Sequence, residues 1–577
     1  MGKEVGRITE VKGVRVRAEL YELFPPYIVD SGRIMVAPRI NTYVKTRVGL
    51  DEIICQITGE YYDEVHRGQY TGYYLELTVK GYFENGRFIQ GLRLLPMVAA
   101  NIEMLEKDEF KRINENLDEK IFPLGVDLFD SSQNYYLSYN AVIPSHIGIF
   151  GNTGSGKSNT LAKLMHEYIE VIKGRNNAQL LVFDVNNEYG ESSICSKDNK
   201  TIYHLTTRND NGDKIPINYS KLQEDEWCLL LNATEATQRP VIKTAFSDKR
   251  TPDDYARLIG RMISTGQQQL IKSIQYNLAG YVKGIETLKW HAKNQVFYFD
   301  KGTGTGIFDS SPEYQQLIDQ ISVDIPEARI KNFLFRLYFA TAIHIGYGTQ
   351  FEFISPLLRR AEKLFKDFEK VFEDVDEDLF QKKNVIVIQL ANVNKDMLEL
   401  IPAIITNHLF QNQILKKQDD TVKNIINIVI DEAHNLLYED STDSKHTKIT
   451  IDAFERAIKE GRKFGLYLWI SSQRPSDISQ TIISQMHNYF IHKLVNPLDL
   501  SRIRKAVAFL DENALDALTV LGAGECVVSG TGVNMPCFVY VMQLEEKYRP
   551  NSENVKLFGE NGIFERQHRR VKKKQVL

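Results

Sequence analysis

Hydrophobic and polar positions alternate with a period of two in several short runs of the first hundred residues. The runs lie at 7–11, 14–18, 33–36, 73–79 and 87–94, and Gly, Pro and Asn punctuate them. Short strands at such spacing predict a small β-barrel over residues 1–110. Residues 101–117 are charged and periodic, which predicts a short connecting helix. A different texture begins near Phe122. Apolar runs at 147–150, 179–183, 384–390, 425–430, 466–470, 489–494 and 525–528 read as strands. Helical stretches such as 159–170 and 397–415 alternate with them, the order of a parallel α/β sheet. Between 216 and 380 the pattern turns to long helices, as at 255–282 and 355–373. In the second, Leu357, Leu358, Ala361, Leu364, Phe365, Phe368 and Phe372 recur at three- and four-residue steps, a plain helix core.

These patterns divide the chain into a barrel (1–110), a first core segment (122–215), a helical insertion (216–380), a second core segment (381–545) and a tail (546–577). The length of 577 residues exceeds what one hydrophobic core supports. No apolar stretch approaches a membrane span, and the N-terminus has no apolar signal core. The five cysteines are scattered and form no C-x-x-C pair, which fits a reducing cytoplasm and argues against zinc. The net charge of −4 disfavours nonspecific coating of nucleic acid, so any DNA-binding charge must be local. The tail carries six Lys or Arg at 566–574, either a solvated end or a contact to a neighbouring subunit or nucleic acid.

The chemistry centres on Gly151-Asn152-Thr153-Gly154-Ser155-Gly156-Lys157-Ser158, a complete P-loop between an apolar run and a helical run. Its glycines let backbone N–H groups converge on phosphates, the following helix adds positive partial charge, and Asn159 at its start is counted with the nucleotide-binding residues. Lys157 would reach the β- and γ-phosphates of ATP, and the Ser158 hydroxyl would ligate Mg²⁺. The run Ile428-Val429-Ile430 ends in Asp431-Glu432. Asp431 would hold Mg²⁺, directly or through water, and Glu432 would polarise the attacking water. Gln473 ends the next apolar run and can touch both the γ-phosphate and that water. Arg462, on the element before that run, cannot easily reach its own P-loop, so it is a candidate arginine finger for a neighbour's ATP. Arg474 is a turn charge or a catalytic one. Asp184 to Tyr189 faces the same crevice, where Glu188 would assist Glu432 or hold a loop.

Taken together, 145–160, Asp184…Glu188-Tyr189, Ile430-Asp431-Glu432-Ala433-His434 and Gly461-Arg462…Gln473-Arg474-Pro475 resemble the HerA branch of the HerA/FtsK superfamily of hexameric DNA-pumping ATPases. The resemblance implies an α/β fold: a RecA-like P-loop ATPase core with an N-terminal small β-barrel and a helical insertion. It implies a homohexamer, ATP sites between subunits and double-stranded DNA in a central pore. It also implies a partner in trans, a nuclease or a NAD-consuming effector, since bacterial members serve in antiviral defence. No nuclease or NAD-hydrolase motif is visible in this chain. Gln389 stands where the family often has Asp, and Asn187 also departs from its pattern. Lys445 and Lys448 follow Asp431 and are candidate phosphate contacts, or part of a solvated loop. A scaffold that assembles an effector under ATP control is the alternative function. A DNA-export ATPase is disfavoured by the lack of membrane helices, and an ABC ATPase by the lack of an LSGGQ-like signature.

Overall fold

The computed structural model describes residues 2–30, 33–62, 72–114, 120–302, 305–417, 421–439, 445–507, 510 and 512–551. The alternation in Arg15–Leu20 puts Val16, Ala18 and Leu20 inside and Arg15, Arg17 and Glu19 outside. That pattern repeats around a closed antiparallel barrel. Its strands follow the order Arg15–Leu20, Glu4–Lys12, Asn101–Met104, Tyr43–Val48, Asp51–Tyr62 and Tyr73–Glu84, and the last pairs back to the first. The predicted connecting helix at 101–117 is therefore half right. Asn101–Met104 is a strand with Ile102 and Met104 buried, and only Lys107–Asn114 is helical. Two apolar positions facing the barrel interior outweigh the charged periodicity of the residues that follow.

That helix is tied to the barrel by a buried charge. Lys45 is 2% exposed, and its ammonium lies 2.5 Å from Glu109, 3.3 Å from Glu52 and 3.8 Å from Glu103. Burial alone would lower the Lys45 pKa, but Glu109 and Glu52 outweigh that and hold it above the usual lysine value. Breaking such a buried pair from one side strands the partner carboxylates. Lys45→Ala is expected to cost about 3–5 kcal/mol, measurable as a lower denaturation midpoint and lost hydrogen-exchange protection in the barrel.

The second unit is built on an eleven-stranded mixed sheet. Seven parallel strands run from the edge in the order Thr201–Thr206, Val385–Asn392, Ala178–Asp184, Ile425–Ile430, Leu466–Ser472, Ile147–Phe150 and Asn488–Ile491. Glu525–Gly530, Cys537–Val541, Ile121–Asp127 and Asn134–Ser138 extend it antiparallel. The four central strands bury almost every side chain, as strands covered on both faces must.

The segment between the core halves is not purely helical. A three-stranded antiparallel sheet, Leu288–His291, Val296–Asp300 and Gly306–Ile307, sits among its helices. At 255–282 two helices, Pro252–Ser264 and Gln268–Asn277, replace the single one predicted. Gly266, in the left-handed region at φ 70°, turns the chain between them. Phe351–Val371 is one helix, and its predicted stripe from Leu357 to Phe368 is buried. Phe372 opens a short strand, Phe372–Asp374, that pairs with Ile215–Ile217, joining the two ends of the segment. Among the described residues no helix is long and apolar enough to cross a membrane.

Candidate ATP site

The strand Ile147–Phe150 leads into the P-loop, and the helix Lys157–Ile172 leaves it. The loop is pinned from three neighbours. Gly151 N–H donates to the Ser472 carbonyl (3.3 Å), Asn152 N–H to that of Lys493 (2.8 Å), and Gly524 N–H to that of Ser155 (2.9 Å). Gly156 sits at φ 107°, and a Cβ there would lie 2.9 Å from backbone atoms of Gly524. Both the conformation and the space demand glycine. Thr153, Gly154 and Ser155 complete the turn before the helix. Lys157 is buried, and its ammonium donates to the Asn152 carbonyl at 3.3 Å. Burial lowers its pKa against the pull of Glu432, Asp431 and Glu188. Asn159 turns its amide to the Met542 carbonyl (3.3 Å), so its side chain braces the helix rather than the loop.

The acids gather at the C-terminal ends of the adjacent strands. Asp431 ends Ile425–Ile430 and is 3% exposed. Its Oδ2 accepts the Tyr189 hydroxyl and its Oδ1 the Glu432 N–H, each at 2.9 Å. Glu432 takes the left-handed conformation at φ 49°, a strained geometry for a non-glycine residue. Its carboxylate accepts the Gln473 backbone N–H. The Gln473 side chain in turn accepts a hydrogen bond from the Thr153 hydroxyl. Gln473 thus spans from the Glu432 carboxylate to the P-loop.

Glu188 lies against Ser158, whose hydroxyl bonds its carboxylate. Burial first, then the charges of Asp431 and Asp184, push the Glu188 pKa up to about 7. Asp184 shapes this loop by accepting the N–H groups of Glu188 and Tyr189, each at 2.9 Å. Burial raises Asp431 and Glu432 as well. Glu188 Oε2 and Glu432 Oε2 are buried without a hydrogen-bond partner, although His434 Nδ1 stands 3.3 Å from the latter.

Arg462 is placed differently. It is exposed on the turn Gly461–Phe464, just before the strand Leu466–Ser472 begins. The P-loop and Gln473 lie past the C-terminal ends of parallel strands, so Arg462 sits at the opposite edge of the sheet. Its charge acts on His146, His487 and Tyr467. Arg474 lies 4.0 Å from Asp477 within its own turn. Lys448 is exposed, whereas the Lys445 side chain and the stretch 566–574 lie outside the described residues.

Sequence reasoning did not find the bond from Tyr189 to Asp431, nor His492. His492 is fully buried beneath the loop, 2.9 Å from the Thr160 hydroxyl, and its Cβ would stand 2.5 Å from a Cβ at Gly151. A lone histidine after an apolar run gives no signal of this in the chain.

A P-loop strand, a strand ending in Asp-Glu and, between the two, a strand whose end carries Gln473 into the crevice define a P-loop ATPase. Family models described as "Helicase HerA, central domain" and "Helicase HerA-like C-terminal" match residues 123–336 and 402–548. The chain belongs to the HerA helicase family. It is 26% identical over 471 residues to a DNA double-strand break repair helicase HerA of Sulfurisphaera tokodaii, covering 80% of this chain and 77% of that one. The corresponding helicase of Sulfolobus acidocaldarius is 25% identical over 478 residues, covering 82% and 78%. Among solved structures, VirB4 of Thermoanaerobacter pseudethanolicus matches with a TM-score of 0.42 at 16% identity, covering 74% of this chain and 97% of that one.

Proposed function

We propose that this protein is an ATP-driven motor that moves double-stranded DNA through a homohexameric ring. In this reading it serves a nuclease or NAD-consuming effector supplied by another chain, in DNA end processing or antiviral defence. One observation carries the reading. The phosphate cradle and its acids lie at one edge of the sheet, and the exposed Arg462 lies at the other. A second copy is needed to bring the two together, and a closed ring satisfies every copy alike.

In this reading the loop from Gly151 to Ser158 holds the phosphates and Lys157 neutralises them. Glu432 orients water, Gln473 links that water to the γ-phosphate, and Glu188 supports the same crevice. The residues fit Mg²⁺ at Ser158 and Asp431, because the carboxylate oxygens left unpartnered at Glu188 and Glu432 crowd the pocket with negative charge. Mg²⁺ at a nucleotide site is typically held by one or two protein groups together with the phosphates. When bound, Mg²⁺ would offset charge on the β- and γ-phosphate oxygens.

Linear duplex DNA is expected to stimulate hydrolysis strongly at low salt and weakly at physiological salt, since pore contacts to phosphates release counterions. Lys157→Ala should abolish both basal and stimulated turnover. Hydrolysis indifferent to DNA but switched on by a co-purifying protein would favour the scaffold reading. In that case a Glu432→Gln ring would still activate the partner.

A further inference from the structure

We propose that Tyr189 is the positioning residue of Asp431, fixing the rotation of that carboxylate for the nucleotide's divalent cation. The inference rests on the reading of Asp431 as the metal carboxylate and adds a residue that the reading does not contain. Asp431 Oδ1 accepts the Glu432 N–H and Oδ2 the Tyr189 hydroxyl, both at 2.9 Å, and the Ser471 hydroxyl also favours the charged carboxylate. A carboxylate offers about four lone-pair sites, so capacity remains for water or a cation. The Glu432 N–H is local and follows wherever the strand end goes. The Tyr189 hydroxyl comes from a different loop, and with the Ser471 hydroxyl of the neighbouring strand acting on the same carboxylate, its 2.9 Å bond is the one that ties Asp431 to the Asp184 loop.

Tyr189 is itself held firmly. Its ring is fully buried and packs in the core with Ile194 and Cys195. Its N–H donates to Asp184 Oδ2 at 2.9 Å, and Asp184 Oδ1 takes the Glu188 N–H at 2.9 Å. The Gln389 side chain bonds Asp184 from the neighbouring strand. His204 Nδ1, one strand further, lies 2.6 Å from Gln389 Oε1. Asn187, at φ 60°, accepts the Ala391 N–H at 3.3 Å and clamps the same loop to Val385–Asn392. The two positions that depart from the family pattern, Gln389 and Asn187, are therefore both parts of the support under Tyr189. A carboxylate at position 389 would add a fourth acid beside Asp184, Glu188 and Asp431, whereas the neutral amide holds Asp184 without adding charge.

A merely structural tyrosine would show its loss in stability; a positioning one shows it in metal binding. Tyr189→Phe keeps the ring and deletes one oxygen. Its melting temperature and metal-free ADP affinity should stay near those of the unaltered protein. The affinity of its ADP complex for Mn²⁺, read by electron paramagnetic resonance, should fall about 10–100-fold, the usual cost of removing an outer hydrogen bond to a metal ligand. The Mg²⁺ concentration for half-maximal hydrolysis should rise in step. Gln389→Met, which loosens the support while leaving the hydroxyl, should shift Mn²⁺ affinity in the same direction by less. Unchanged Mn²⁺ affinity in Tyr189→Phe overturns the proposal, and should that variant fail to fold, unchanged affinity in Gln389→Met does so. Asp431→Asn is measured alongside. If it binds Mn²⁺ as the unaltered protein does, the metal reading of Asp431 fails and the proposal with it. If it loses Mn²⁺ while Tyr189→Phe keeps it, the Tyr189 role alone fails.

Discussion

Arg462→Ala is expected to bind ATP normally and to hydrolyse it on the order of 10³–10⁵ times more slowly, the range for an arginine finger. That range corresponds to roughly 4–7 kcal/mol of lost transition-state stabilisation. The size of the effect is what separates the two roles open to Arg462. A solvated surface charge contributes about 0–1 kcal/mol to anything. The turn that carries Arg462 is built to present it. Gly461 has no room for a Cβ, which would meet the Leu466 carbonyl at 2.7 Å, and Gly465 sits at φ 77° against Asn424. These glycines fold the turn tightly onto the strand Leu466–Ser472, leaving the Arg462 side chain exposed. Arg462→Lys should recover little, since an ammonium lacks the planar fork that grips phosphate oxygens. Turnover by Arg462→Ala is measured with steady-state ATP hydrolysis, and nucleotide binding with a fluorescent ATP analogue.

The second large effect is expected at Glu432, the acid proposed to activate water. Glu432→Gln should retain ATP affinity and lose about 10²–10⁴ in turnover, the usual contribution of a positioned general base. The substitution is nearly isosteric. It leaves the strained left-handed backbone at φ 49° and the neighbouring Asp431 in place. An amide oxygen can still accept the Gln473 N–H that the carboxylate accepts. What disappears is basicity, so the variant should accumulate in the ATP-bound state. Rapid chemical quench of bound radiolabelled ATP distinguishes this from slow product release: the nucleotide recovered should be ATP, not ADP.

Much of this site is legible in the chain because its chemistry is local. The P-loop and the Asp431-Glu432 pair are contiguous, and their flanking apolar runs declare the strands that hold them. The barrel was legible too, since period-two alternation survives in Arg15–Leu20 and its neighbours. Asn101–Met104 was not, because a four-residue strand followed by a charged helix carries too few positions to separate the two periods. The single helix read over 255–282 failed at Gly266, where one backbone angle outweighs a continuous apolar pattern. Within the site, Tyr189 and His492 were missed for a different reason. Their partners, Asp431 and Thr160, lie 242 and 332 residues away, so only the folded sheet reveals the contacts. The side-chain bond of Asn159 to the Met542 carbonyl is equally invisible in the chain, since the two residues are far apart in sequence.

In the proposed ring each ATP site is completed by Arg462 of another subunit. Mixing two inactive proteins tests it most directly. Lys157→Ala keeps a sound arginine and a dead cradle; Arg462→Ala keeps a sound cradle and lacks the arginine. Co-assembled after dissociation and followed by ATP hydrolysis, with native mass spectrometry confirming mixed oligomers, they should regain turnover that neither shows alone. Mixed oligomers that stay as inactive as the separate variants at every ratio would contradict completion in trans.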